Sequence, residues 1–209
     1  MKIDAEFKEA LADLSSKEKD KLILRLIKHD QALIDRLYFE LLDCMSVEER
    51  RSEMEDKITQ LTSSYSQRYY SPGYLFMEMR DLSGGITEHV KITKDKFGDV
   101  ALNIQLLCQM LEKNESNLID ESFEKAYTFN IYVIVRTYKI LGQITKLHED
   151  LQYDLKVALE CLGEQIGRQD NLMKLAIRNA LDINWLLRFE IPTNITDKVK
   201  ELKQLGFLK

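Results

Sequence analysis

The chain is 209 residues long and holds 8 Gly and 2 Pro, where average usage would give about fifteen and ten. That shortage excludes most sandwiches and barrels, which need both residues at frequent tight turns, and favours helices. With 44% hydrophobic and 31% charged residues the composition is globular, and a net charge of −5 leaves no basic excess for phosphate backbones. The balance holds along the chain: 12 basic residues face 15 acidic in 1–70, 5 face 7 in 71–118, and 13 face 13 in 119–209.

The start, Met1-Lys2-Ile3-Asp4-Ala5-Glu6, is acidic where a signal peptide is apolar, which predicts a cytoplasmic protein. Phe7, Ala10, Leu11 and Leu14 share one helical face. Ser15 and Glu18 form a capping box for a second helix bearing Leu22, Leu24, Leu26 and Ile27. Asp30 caps a third, with Leu33, Ile34, Leu37, Tyr38, Leu41 and Leu42 at helical spacing. Connections this short turn neighbouring helices back on one another, as in the stacked pairs of α-solenoids, although no second copy follows at a fixed period. Lys17, Lys19, Lys21, Arg25 and Lys28 alternate with Glu18 and Asp20, the pattern of a solvated face rather than a nucleic-acid groove.

Ser46 and Glu49 open a long polar helix reaching about Tyr70, with a thin apolar stripe of Met54, Ile58, Leu61, Tyr65 and Tyr69. Ser71-Pro72-Gly73 predicts a turn before a helical Tyr74–Asp81, and Ser83-Gly84-Gly85 predicts the strongest break of the chain. Residues 86–96 and 99–113 are helical with Gly98 between them, and 114–117 reads as a loop. From Phe123 to Ile166 one apolar phase persists through Tyr138, Leu151 and Leu159. A single helix over 119–168 would span about 75 Å, so a hairpin or sharp kink near 148–150 is expected. Its most apolar part, 126–144, contains Asn130, Arg136, Lys139 and Gln143 and reads as a buried helix, not a membrane span. Gly163 and Gly167 allow another helix to approach, which fits packing within the chain as well as an oligomer. A helix over 172–189 ends at Pro192, and 197–205 forms a last helix closed by Gly206. The expected fold is all-α, a multi-helix bundle or short α-solenoid-like array of about 8–10 helices with no sheet. It forms one domain over 1–209, with sub-lobes 1–70 and 119–209 around an irregular centre at 71–118.

Few motifs carry chemistry. His29, His89 and His148 belong to no H-E-x-x-H or E-x-x-H pattern, and neither a phosphate loop nor a G-x-S-x-G elbow occurs. Cys44, Cys108 and Cys161 form no C-x-x-C pair and read as thiols in a reducing compartment. The candidate partner surface is Tyr65, Arg68, Tyr69, Tyr70, Tyr74, Phe76 and Arg80, where tyrosines offer apolar area with a polar handle and arginines add anion recognition or stacking. His89, Lys91 and Lys94, beyond the double glycine, join it as a dense ionisable stretch. These features predict a non-enzymatic interaction protein or scaffold with no catalytic residue, no cofactor, a protein partner, no membrane or nucleic-acid partner, and room for a homo-oligomer. The alternative is a Mg²⁺-dependent all-α nucleotide pyrophosphohydrolase. Its E-x-x-E would be Glu6 and Glu9 and its E-x-x-D Glu40 and Asp43, because carboxylates on facing helices suit a hard ion that clamps phosphates.

The segments Leu14-Ser-Ser-Lys-Glu-Lys-Asp-Lys-Leu22 and Ile86-Thr-Glu-His-Val-Lys-Ile-Thr-Lys-Asp-Lys-Phe-Gly98 resemble a family of bacterial all-helical proteins. That resemblance implies an all-helical fold over most of the chain. It implies no activity, substrate or catalytic residue.

Overall fold

The computed structural model describes residues 4–209; Met1, Lys2 and Ile3 of the acidic start lie outside the described residues. Among these residues there are thirteen helices and no strand, and ten of the helices have eight residues or more. The all-α expectation therefore holds. No helix among them is long and apolar enough to cross a membrane. The described residues form two compact units, 4–45 with Lys91–Thr93, and Ser46–Val90 with Lys94–Lys209.

The first unit is built from α1 (Ala5–Ala12), α2 (Ser16–Ile27) and α3 (Gln31–Leu41). Each begins where a side chain satisfies an orphan backbone donor. Asp4 accepts from the Phe7 amide at 2.8 Å, Ser15 and Glu18 close their capping box, and Asp30 accepts from Leu33 at 3.0 Å. Local chemistry thus sets these starts as the sequence suggested. Packing does not follow in the same way. No residue of the three helices is buried, and Phe7, Ile23, Leu24, Leu26, Tyr38, Leu41 and Leu42 are each at least 51% exposed.

The second unit opens with α4 (Val47–Gln67) and with α5 (Pro72–Thr93) as far as Val90. α5 corrects the predicted break, because it runs without interruption through Ser83-Gly84-Gly85. Glycine in a helix interior costs only about 1 kcal/mol relative to Ala, and the buried Leu75, Met79, Leu82 and Ile86 on one face outweigh that cost. The helix ends instead at Lys94, whose φ of 58° places it in the left-handed region. α6 (Lys96–Lys113) follows at once, capped by Asp95, so Gly98 lies in its first turn rather than between helices.

α6 is the axis of this unit and packs against α4, α8 (Phe123–Ile144) and α10 (Lys156–Arg168). Val100, Leu102, Ile104, Leu106, Leu107, Met110 and Leu111 are all buried, which places apolar side chains on most of its circumference. The region expected to be irregular therefore contains the most enclosed helix. The α4–α6 seam also explains how a helix with a thin apolar stripe packs. Gln105 Nε2 donates to the Glu55 carbonyl at 3.0 Å and Gln109 Nε2 to Thr59 Oγ1 at 3.0 Å. Lys113 Nζ donates to the Thr59 carbonyl, Thr62 Oγ1 and Ser63 Oγ at 3.0, 2.9 and 2.8 Å. These three donors stand four residues apart, so one face of α6 delivers a ladder of polar contacts to α4.

Residues 114–117, expected as a loop, enter the short α7 (Glu115–Leu118). The stretch 119–168 is broken, as the length argument required, at Thr145–Leu147. His148 then caps α9 (Glu149–Asp154), and α10 follows. α8 and α10 do not form a simple hairpin, because each packs against α6. The predicted helix over 172–189 divides into α11 (Asp170–Arg178) and α12 (Asn184–Leu187). The reason is local. Asn179 caps α11, Ala180 takes φ 55°, and Asp182 Oδ1 accepts from the Asn184 amide at 2.9 Å. α12 lies close to Gly163, where an added Cβ would meet Leu187 Cδ2 at 2.8 Å, whereas one at Gly167 would meet nothing within 4 Å. Gly163 thus serves packing inside the chain. α13 (Ile195–Gln204) is closed by Gly206 at φ 87°.

Candidate functional site

The predicted partner residues separate into anchored and presented groups. Tyr65 on α4 is half-buried, and burial together with the charges of Glu78 and Asp81 raises its phenol above the ordinary range. The Tyr69 hydroxyl donates to Glu121 Oε1 at 2.9 Å, and burial and that bond push its pKa far up. Phe76 packs edge-on against Tyr132 at 5.2 Å, and the Arg80 guanidinium lies 5.8 Å from the Phe76 ring. Tyr65, Tyr69 and Phe76 therefore belong to the edge of the core.

Tyr70 and Tyr74 are different. They are 82% and 50% exposed, and their rings meet edge-to-face at 6.4 Å. Met77, one turn along α5, is 51% exposed and extends the same surface, although nothing in the sequence sets it apart from the buried Met79 two residues on. Arg68 caps α4 nearby in sequence and is exposed, with its Nε 3.4 Å from the Ser64 carbonyl. Pro72 at the start of α5 sets where this helix begins, and Ser71 Oγ accepts from the Tyr74 amide at 3.2 Å.

His89 is half-buried on α5, and desolvation holds its imidazole below the usual value, with Asp95 opposing and Arg51 and Arg50 adding to the shift. Lys91 and Lys94 are exposed. With α5 continuous through the double glycine, the three occupy its last turns and its left-handed cap.

No protein family, curated protein or solved structure matches the chain.

Glu6 and Glu9 are exposed on α1, Glu40 is ion-paired with Arg36 at 2.6 Å, and Asp43 Oδ1 accepts from the Met45 amide at 3.0 Å. Among the described residues no group of three or more His, Cys, Asp or Glu side chains is placed to hold a metal ion. The four carboxylates of the pyrophosphohydrolase alternative are not gathered into the cage of oxygen ligands that a hard ion takes.

Two further features lay outside the sequence argument. One is the set of exposed apolar side chains on α1, α2 and α3, where helical periodicity correctly marked faces but could not reveal that nothing in their own unit buries them. The other is a cleft of about 570 Å³ between α8 and α13, lined in part by Lys139, Lys146, Lys200 and Lys203. No local motif announces it, since the two pairs of lysines are more than fifty residues apart.

Proposed function

We propose that the protein works by binding another protein through exposed helical surfaces. The observation that carries this reading is that α1, α2 and α3, with the Leu42 cap of α3, present seven large apolar side chains at least half exposed, while the three helices bury no residue of their own. Single exposed apolar residues are ordinary, but a concentration of them marks an interaction surface. Covering the exposed half of seven such side chains contributes on the order of 5–10 kcal/mol before association costs. Tyr70, Tyr74 and Met77 form a second, aromatic contact of the kind enriched at interfaces. The three free cysteines suit a reducing, cytoplasmic setting.

The test compares affinity capture by the full chain with capture by the double variant Leu24→Glu, Leu41→Glu. Both positions are exposed, so helix content by circular dichroism should not change. A stoichiometric protein retained by the parent and lost by the variant supports the reading. Identical capture profiles from the two proteins reject it.

A further inference from the structure

The cleft between α8 and α13 has a composition that neither helix requires for packing. Lys139 and Lys146 stand on one wall, seven residues apart, and Lys200 and Lys203 on the other. No acidic side chain lines the space. Lys200 has a neighbour on its own helix, Asp197 Oδ1 at 2.9 Å. Lys203 lies in the last turn of α13 and Lys146 just beyond the cap of α8, where a cation complements the helix dipole. That explanation does not reach Lys139, which sits within α8. Gathering four cations around one concavity raises the local positive potential, which an anion would relieve.

The floor is apolar. Val135, Val199 and Leu208 line it, over the buried Tyr138. The Tyr138 hydroxyl is engaged, donating to the Asn179 carbonyl at 2.8 Å. Asn179 also holds Leu208, accepting from its amide through Oδ1 at 2.8 Å, and Leu208 stays at φ 63° in the left-handed region that disfavours a branched side chain. The C-terminal tail is thus clamped as part of the floor at a cost in backbone strain. In the wall, Gln143 Nε2 donates to Asp99 Oδ2, while Gln143 Oε1 is buried with no donor.

We propose that this cleft binds a small organic phosphate: an anionic head held by the lysines, and an apolar or aromatic body lying on Val135, Val199 and Leu208. Lysine is a point-charge binder of phosphate, and the volume suits a molecule of nucleotide size. The site is independent of the protein-binding surface on α1, α2 and α3.

The test is calorimetric titration of the full chain with hexyl phosphate, adenosine monophosphate, inorganic phosphate and hexanol. Trp185, the single tryptophan, lies 6.3 Å edge-on from Tyr138 and supplies a fluorescence readout of the same site. At least one organic phosphate should bind one-to-one and change Trp185 emission. Inorganic phosphate and hexanol should bind far more weakly, and added salt should weaken the complex. Preference for hexyl phosphate identifies an acyl-like body and preference for adenosine monophosphate a nucleoside. The double variant Lys139→Glu, Lys203→Glu, altered at exposed positions, should bind about tenfold more weakly or worse. Absence of binding by both organic phosphates, equal binding by the variant, or equal affinity for inorganic phosphate would each overturn the proposal.

Discussion

Asp95 shows how much one side chain can organise. Its carboxylate accepts from the Gly98 amide at 2.8 Å through Oδ1 and from Arg51 Nε at 2.6 Å through Oδ2, and it is almost fully buried. The Arg51 guanidinium also lies 4.9 Å from the Phe97 ring. A Cβ at Gly98 would sit 2.1 Å from Asp95 Oδ2 and 3.1 Å from Arg51 Nε, so this glycine is required by space and not by backbone freedom. Gly98→Ala must therefore displace the cap or its buried ion pair, and is expected to cost about 2–4 kcal/mol, read from the urea midpoint. His89 supplies a pH-dependent counterpart. Burial lowers its folded pKa below the unfolded value of about 6.5, so the unfolded chain takes up the proton first as the pH falls. The stability owed to a neutral His89 is thus present above about pH 6.5 and declines as pH drops toward the folded value. Urea midpoints between pH 7.5 and 5 should fall less steeply for His89→Gln than for the parent chain.

At the scale of elements, starts were more legible than interruptions. The boxes at Ser15–Glu18 and Ser46–Glu49 form as their four-residue patterns indicate, because both partners lie within one helical turn. Ser83-Gly84-Gly85 carried an equally local signal, yet α5 continues through it. The burial of Leu82 and Ile86 on either side decides the matter, and neither residue's packing partners can be read from the local pattern. Gly84 is exposed, and an added Cβ would meet nothing within 4 Å. Gly84→Ala should therefore stabilise the protein by about 0.5–1 kcal/mol, visible as a rise in Tm, because it restricts the unfolded chain without a clash. The split between α11 and α12 escaped the periodicity for the opposite reason: apolar spacing continued across a turn that Asn179, Ala180 and Asp182 make through backbone chemistry.

Across the whole molecule, burial is distributed unevenly. In the second unit α6 and α8 are rich in fully buried side chains, whereas no residue of α1, α2 or α3 is buried. Hydrogen exchange should follow that contrast, since amides open most readily where few apolar contacts resist. Amides of α1–α3 are expected to exchange orders of magnitude faster than those of α6 and α8 in mass-resolved exchange, and uniform protection would contradict the division. The candidate site divides along the same line. Exposed aromatics at Tyr70 and Tyr74 were legible because tyrosine density is visible in a linear sequence, but Tyr69 and Phe76, with the same signal, are taken up by Glu121 and Tyr132. By itself the sequence determined that the chain is helical and where most helices begin, because capping and intrahelical hydrogen bonds connect residues within about four positions. Tertiary structure alone decided which tyrosines face solvent, that α6 becomes the axis, and that lysines from α8 and α13 meet around one cleft. Those outcomes depend on which distant side chains exclude water from one another, and that cannot be read from neighbours in the chain.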